Sequence, residues 1–200
     1  SKFCVIHNAV DREKYKYSVQ KREEIRGSMG ITDQFVIGHV GNFCYQKNHY
    51  FLLDVFEEVH KKDPNTVLLL AGDGVRFEKV RQIVAEKNLE DVVKLLGRRS
   101  DTDYLYQGMD AFLLPSNFEG LPIAGIEAQS AGLPCFMSDE ITKESKITEA
   151  CYFIPLKSGA KYWAEEILDN RMERQSAEFL DNAEQYDLAN QDQELKSLIR

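Results

Sequence analysis

The sequence predicts an α/β protein in which a doubly wound, mostly parallel sheet carries helices on both faces. Three observations lead there. Runs of four or five apolar residues recur along the chain, with the length and continuity of strands buried on both faces. Longer segments between them place apolar residues at helical intervals. Gly, Pro, Asn and Asp gather at the junctions, where the chain must turn.

Taken in order, Phe3–Ile6 is a short strand, and the highly charged residues 12–30 form a surface helix ending near Gly27 or Gly30. Val36–Val40 is the next strand, turned by Gly41. A helix over 49–62 puts Phe51, Leu52, Val55, Phe56 and Val59 on one face and stops before Pro64. Thr66–Leu70 is a central strand, followed by an amphipathic helix over 75–88 that buries Phe77, Val80, Ile83 and Val84. Val92–Leu96 is a strand, Gly97–Ser100 a loop, and Tyr104-Leu-Tyr106 belongs to a short helix. Further strands are Ala111–Leu114, Cys135–Ser138 and Cys151–Ile154, with 139–150 a polar helix or loop. Helices over 159–169 and 172–183 follow, and the tail from Tyr186 carries a weak Leu188, Leu195, Leu198, Ile199 stripe. The whole reads as one domain over 1–200, with a core of about 3–170 and a helical tail over 172–200.

The organising stretch runs from Ala111 to Pro134. Its strand breaks at Pro115-Ser-Asn117, and a helix opening near Leu121 is closed by Gly132 and Pro134. Glu119 precedes this helix and Glu127 lies inside it. Eight helical residues span roughly 12 Å, too far for the carboxylate pair of a glycosidase, which stands about 5–9.5 Å apart. Two anchors on one elongated ligand are the better use, with Gly120 admitting a close backbone approach. The helix start offers free N–H groups and about half a positive charge, which suits phosphate. A ligand with a sugar at one end, phosphates in the middle and a ribose beyond fits.

The run from Pro115 through Glu119-Gly-Leu-Pro to Glu127-Ala, with Gly132-Leu-Pro134 after it, resembles the signature of family 4 glycosyltransferases of the GT-B fold. The resemblance extends to Gly41-Asn42-Phe-Cys-Tyr-Gln-Lys47-Asn-His, to Leu-Leu-Ala-Gly72-Asp-Gly74 and, with departures at His7 and Ala9, to His7-Asn-Ala-Val-Asp11. It implies a Rossmann-like, donor-binding C-terminal domain, with the acceptor-binding N-terminal domain missing from this chain. It also implies that Glu119 contacts the donor sugar, Glu127 the ribose hydroxyls and Lys47 the diphosphate, beside the Gly120–Leu121 backbone. Pro122 has no N–H to offer. The family usually has arginine at position 42; Asn42 brings no charge, so donor affinity is weaker or Arg98 or Arg99 substitutes.

Each residue also has a plainer explanation. Lys47, Arg98 and Arg99 could be solvated charges, Gly72 and Gly74 a tight turn, and His39 and His49 neutral structural histidines. The Gly72-x-Gly74 run fails the dinucleotide fingerprint, since Phe77 replaces its third glycine and no acid follows at the required distance. Asp101-x-Asp103 reads as helix capping by Asp101 before it reads as a metal site. No phosphate loop, nucleophile elbow or metal-ligand spacing occurs, so the expected chemistry is metal-free and without a cofactor.

The chain has 200 residues, 43% hydrophobic and 29% charged, enough for a substantial core. Twenty-five Lys and Arg stand against 33 acids, a net charge of −8, which argues against nucleic acid as a partner and against a basic membrane patch. The four cysteines, Cys4, Cys44, Cys135 and Cys151, are scattered and read as reduced core thiols. No apolar run approaches the ~20 residues of a membrane span, so the chain reads as cytoplasmic, reaching the inner face of the membrane through the missing domain.

The resemblance therefore implies a retaining hexosyltransferase half that binds a nucleotide sugar, UDP-sugar ahead of GDP-sugar, and serves a saccharide or lipid-linked acceptor in polysaccharide biosynthesis. The site is Lys47 and Glu119 with Asn42, Gly74, Arg98, Gly120, Leu121 and Glu127. A sugar-nucleotide epimerase or phosphorylase on the same plan, or a non-catalytic nucleotide-binding module, is the alternative.

Overall fold

The structure is a computed structural model describing residues 8–191. Six parallel strands form one sheet: β1 Phe35–Val40, β2 Thr66–Ala71, β3 Val93–Gly97, β4 Ala111–Leu114, β5 Cys135–Ser138 and β6 Cys151–Ile154. Their spatial order is β3-β2-β1-β4-β5-β6. The order reverses between β1 and β4, where Ile37 pairs with Ala111 and Gly38 with Phe112. The strand Phe3–Ile6 expected from the sequence lies outside the described residues.

Strand side chains alternate between two cores, as period-two geometry requires. Val36, Val67, Leu69, Phe112 and Leu114 face one layer, and Ile37, Leu68, Leu70, Leu113 and Phe136 face the other. The second layer is covered by α3 His49–Lys62, α4 Phe77–Glu86 and α7 Gly159–Asp169. There α3 packs against α7, with the Phe51 and Trp163 rings edge to face at 5.7 Å. The first layer is covered by α1 Arg12–Tyr15, α2 Val19–Ser28, α5 Thr102–Gly108 and α6 Ile123–Ser130. Burying some twenty apolar side chains per layer at about 1.5–3 kcal/mol each is what holds helices to sheet.

Two sequence expectations are corrected. The single helix over 12–30 is two, because Tyr15 turns into the core and Ser18 caps a fresh helix, its Oγ accepting from the Lys21 N–H at 3.3 Å. The helix expected over 172–183 does not form. There the chain crosses the first layer irregularly, then forms a short 3₁₀ turn, Asp181–Tyr186. Tertiary bonds outcompete the local pattern: the Leu180 N–H donates to the Ile147 carbonyl at 2.9 Å, and Arg174 lies over the Tyr17 ring at 4.7 Å. The described part of the tail is tied to the start of the chain. The Val10 N–H donates to the Tyr186 carbonyl at 2.9 Å, and Arg12 pairs with Asp187 at 2.5 Å.

Asp110, at the head of β4, is clamped by Arg22 at 2.5 Å and Arg26 at 3.1 Å and accepts from the Val36 N–H at 2.8 Å. This buried cluster fixes α2 against the two strands flanking the order reversal. No helix among the described residues is long and apolar enough to cross a membrane.

Candidate functional site at the carboxyl rim of the sheet

In open parallel sheets the loops beyond the strand ends diverge where strand order reverses, which leaves a crevice. Here the loops after β1 and β4 flank that point, and they carry Lys47 and Glu119. Lys47 Nζ lies 2.6 Å from Glu119 Oε1, and Ser116 Oγ donates to the same oxygen at 2.6 Å. Both side chains are largely withdrawn from water, 15% and 6% exposed, so the pair is short, charge-assisted and weakly screened. The loops are stitched together: Asn117 N–H donates to the Gln46 carbonyl at 2.8 Å and its Nδ2 to the Tyr45 carbonyl at 2.7 Å. Ser138 Oγ fixes Ser116 by donating to its carbonyl at 2.5 Å.

The lysine stem lies over Gly41, where an added Cβ would stand 3.1 Å from Lys47 Cε. Behind it sit two buried histidines, with rings 4.8 Å apart and edge to face. His39 Nδ1–H donates to the Leu113 carbonyl at 2.8 Å, while His39 Nε2 and both His49 nitrogens have no hydrogen-bond partner among the described residues. Burial holds His39 well below the usual imidazole range and takes His49 down to about 4, with Lys47 adding repulsion at both. They are neutral structural histidines, as expected.

Asn42, Asp73, Gly74 and Arg98 line a cleft of about 410 Å³ on the same rim. Gly74, at φ +151°, leaves room for Asn42, whose Oδ1 would lie 2.3 Å from an added Cβ. Gly72, at φ +142°, lets the Gly41 carbonyl pass, 1.9 Å from where a Cβ would be. These glycines thus serve a crossing of two backbones, a closer approach than a plain tight turn demands. The two arginines of the next loop part company. Arg99 is tied to Asp101 through Nε at 2.8 Å and Nη2 at 2.5 Å, whereas Arg98 faces the cleft. Asp101 therefore does not cap α5 as expected; its carboxylate is committed to Arg99.

Helix α6 begins after Pro122 with no side-chain cap, so its first N–H groups remain available. Gly120 has open space around it, and it and Leu121 lead into this start. Glu127, a turn inside α6, is held apart from Lys47 and Glu119. Tyr15 OH donates to its Oε1 at 2.7 Å and Tyr106 OH to its Oε2 at 2.9 Å. No hydrogen bond or ion pair among the described residues joins Glu127 to the Lys47–Glu119 pair. Sequence reasoning missed Tyr15, Tyr106, Ser116 and Asp73. Ser116 and Asp73 lay inside the motifs already singled out, whereas nothing local in the sequence marks either tyrosine as a partner of Glu127.

Among the described residues no group of three His, Cys, Asp or Glu side chains could hold a metal ion. Cys44, Cys135 and Cys151 are free thiols, and burial pushes Cys151 up to about 12; Cys4 lies outside the described residues.

Comparison with known proteins identifies the family and the fold. Residues 21–187 match the family model described as glycosyl transferases group 1. The chain is 36% identical over 141 residues to the putative glycosyltransferase EpsF of Bacillus subtilis, covering 70% of this chain and 37% of that protein. It is 33% identical over 142 residues to the UDP-Gal:alpha-D-GlcNAc-diphosphoundecaprenol alpha-1,3-galactosyltransferase of Escherichia coli, covering 69% of this chain and 37% of that one. It thus spans little more than a third of either relative. Among solved structures, Anabaena Alr3699/HepE in complex with UDP and glucose superposes with a TM-score of 0.82 at 22% identity, over 98% of this chain and 56% of that one. WaaG, a glycosyltransferase involved in lipopolysaccharide biosynthesis, gives 0.72 at 20% identity, over 83% and 46%. The fold is the Rossmann-like α/β fold of GT-B glycosyltransferase structures, and the chain belongs to the group 1 glycosyl transferases.

Proposed function

We propose that this chain is the donor-binding domain of a retaining glycosyltransferase that moves a hexose from a UDP-sugar to a saccharide or lipid-linked acceptor in polysaccharide biosynthesis. The observation that carries the reading is the 2.6 Å Lys47–Glu119 pair, withdrawn from water where the strand order reverses. A cation is held ready there by an acid that a sugar can engage. When a sugar diphosphate enters, its phosphates draw Lys47 away, and the released Glu119 carboxylate accepts hydrogen bonds from the donor sugar. The bond from the anomeric carbon to the diphosphate breaks with its electron pair on the phosphate oxygen. Lys47, Arg98 and the uncapped start of α6 stabilise that charge without a metal. The acceptor oxygen bonds the same face of the sugar and gives up its proton to the departing phosphate. Glu127 receives the ribose hydroxyls, and Asn42, Gly74, Gly120 and Leu121 line the path of the nucleotide. The UDP-Gal named for the Escherichia coli relative and the UDP and glucose bound by HepE favour uridine. Residues 1–200 span little more than a third of those relatives, so the transfer proposed is that of the whole protein, to which these residues contribute donor binding.

Calorimetric titration of UDP, GDP and ADP tests the reading. UDP is expected to bind tightest, with binding lost in both Lys47→Ala and Glu127→Ala and unchanged by EDTA. Binding indifferent to both substitutions removes the proposal.

A further inference from the structure

Glu127 differs from the other withdrawn carboxylates of the chain. Asp110 is answered by Arg22 and Arg26, Asp187 by Arg12, and Asp63 by Arg171. Among the described residues Glu127 forms no ion pair, and its side-chain partners there are two phenol hydroxyls from different helices, one on each oxygen. The Tyr15 and Tyr106 rings meet edge to face with centroids 5.7 Å apart, so each ring fixes the other's hydroxyl. Both hydroxyls stay protonated donors, because burial, followed by the hydrogen bond and charge of Glu127, raises the Tyr15 phenol. Burial and the same charge raise Tyr106. A carboxylate has about four lone-pair sites; two are used here, and two remain for neutral donors.

We propose that Tyr15 and Tyr106 preset the Glu127 carboxylate to receive the two hydroxyls of a nucleotide ribose, Tyr15 acting as a positioning residue from a helical turn that precedes the family-matched segment. The inference rests on the reading of Glu127 as the ribose contact. Tyr15 is 6% exposed and α1 packs on both α5 and α6, so the hydroxyl is delivered by tertiary packing alone. With both oxygens anchored, Glu127 keeps one rotamer and its free lone pairs keep one direction. The ligand then does not have to order the side chain on binding. An acid paired with a guanidinium would gain little from an incoming hydroxyl. An acid held only by hydroxyls gains a further hydrogen bond to a charged group.

The test compares UDP with 2′-deoxy-UDP by calorimetry on the intact protein, its Tyr15→Phe and Tyr106→Phe variants, and Glu127→Gln. The unaltered protein is expected to prefer UDP by about tenfold, the scale of one hydrogen bond to a charged group. Tyr15→Phe is expected to reduce that preference about threefold, lowering 2′-deoxy-UDP affinity less than UDP affinity because only the 3′ hydroxyl of the deoxy nucleotide still reaches Glu127, and Tyr106→Phe to do the same. Preference intact in both variants, or equal losses for the two nucleotides, overturns the positioning role and leaves the ribose contact standing. An unaltered protein that does not distinguish the nucleotides, with Glu127→Gln equally indifferent, overturns the ribose contact and the inference together.

Discussion

Replacing Arg98 by alanine should weaken UDP binding by about tenfold, and the geometry also supplies its control. Position 42 contributes no charge, so the cleft lined by Asn42, Asp73, Gly74 and Arg98 has one cation, already facing it. Arg98 is exposed, so the water-like limit applies. A unit charge about 5 Å from a phosphate charge contributes ~0.8 kcal/mol at a dielectric constant near 80, and two phosphate charges give ~1.7 kcal/mol, which screening at ~0.05 M salt brings to about tenfold. Arg99 is its neighbour in sequence, but its guanidinium is bound to Asp101 at 2.5 and 2.8 Å, so Arg99→Ala should change affinity less than about twofold. Because the effect is exposed electrostatics, raising salt from ~0.05 M to ~1 M should erase most of the Arg98→Ala penalty, the screening length falling to about 3 Å. Adding Asn42→Arg to Arg98→Ala should restore binding at low salt. Calorimetry of UDP at the two ionic strengths reads all of these. Equal penalties for the two arginines, or an Arg98→Ala penalty undiminished at ~1 M salt, would refute the reasoning.

Three further outcomes are expected. His49 is neutral when folded, with its pKa lowered to about 4 against about 6.5 unfolded, so its contribution is complete above pH ~6.5 and is lost as pH falls toward 4. Between pH 7 and 5 the protein should lose about 2 kcal/mol more than His49→Phe does in denaturant melts; identical pH profiles would show that His49 is not the group responsible. Gly72→Ala drives a Cβ within 1.9 Å of the Gly41 carbonyl and should cost more than about 3 kcal/mol, whereas Gly97→Ala, at φ +64° in open space, should cost about 1 kcal/mol; thermal melts compare the two. Lys47→Met strands the 6% exposed Glu119 carboxylate and should cost about 2–3 kcal/mol in chemical denaturation, most of which the double variant Lys47→Met/Glu119→Leu recovers.

What the sequence made legible follows from which forces are local. Helix 49–62 and strands 111–114, 135–138 and 151–154 form at the expected bounds, because each has apolar spacing and a turn signal at its end. The 172–183 segment has helical spacing too, but Gly132 opens room for its backbone: a Cβ there would stand 2.1 Å from the Gln175 carbonyl. A docking site elsewhere in the chain thus set its conformation, and no local pattern records that. The candidate site divides in the same way. Lys47, Glu119, Asn42 and Gly74 lie within recognisable motifs, and Arg98 in the loop after a recognisable strand, all on loops that the fold brings to the rim. The tyrosines that grip Glu127 are 112 and 21 residues away from it in the chain. Nor could spacing show that Arg99 is spent on Asp101 while Arg98 is free to turn toward the cleft.

The Lys47–Glu119 contact joins the two halves of the sheet across the seam where β1 meets β4, a seam with only two aligned residue pairs in register. Shear or splaying between the halves would lengthen that contact. The pair is placed as a latch would be, beside the Asn117 bonds to Gln46 and Tyr45 that cross the same seam, so pulling the lysine away would remove one of the few ties between the two loops. Substitutions deep under β1 or β4, far from any solvent-facing rim, would then be felt first as altered ligand affinity and only later as lost stability.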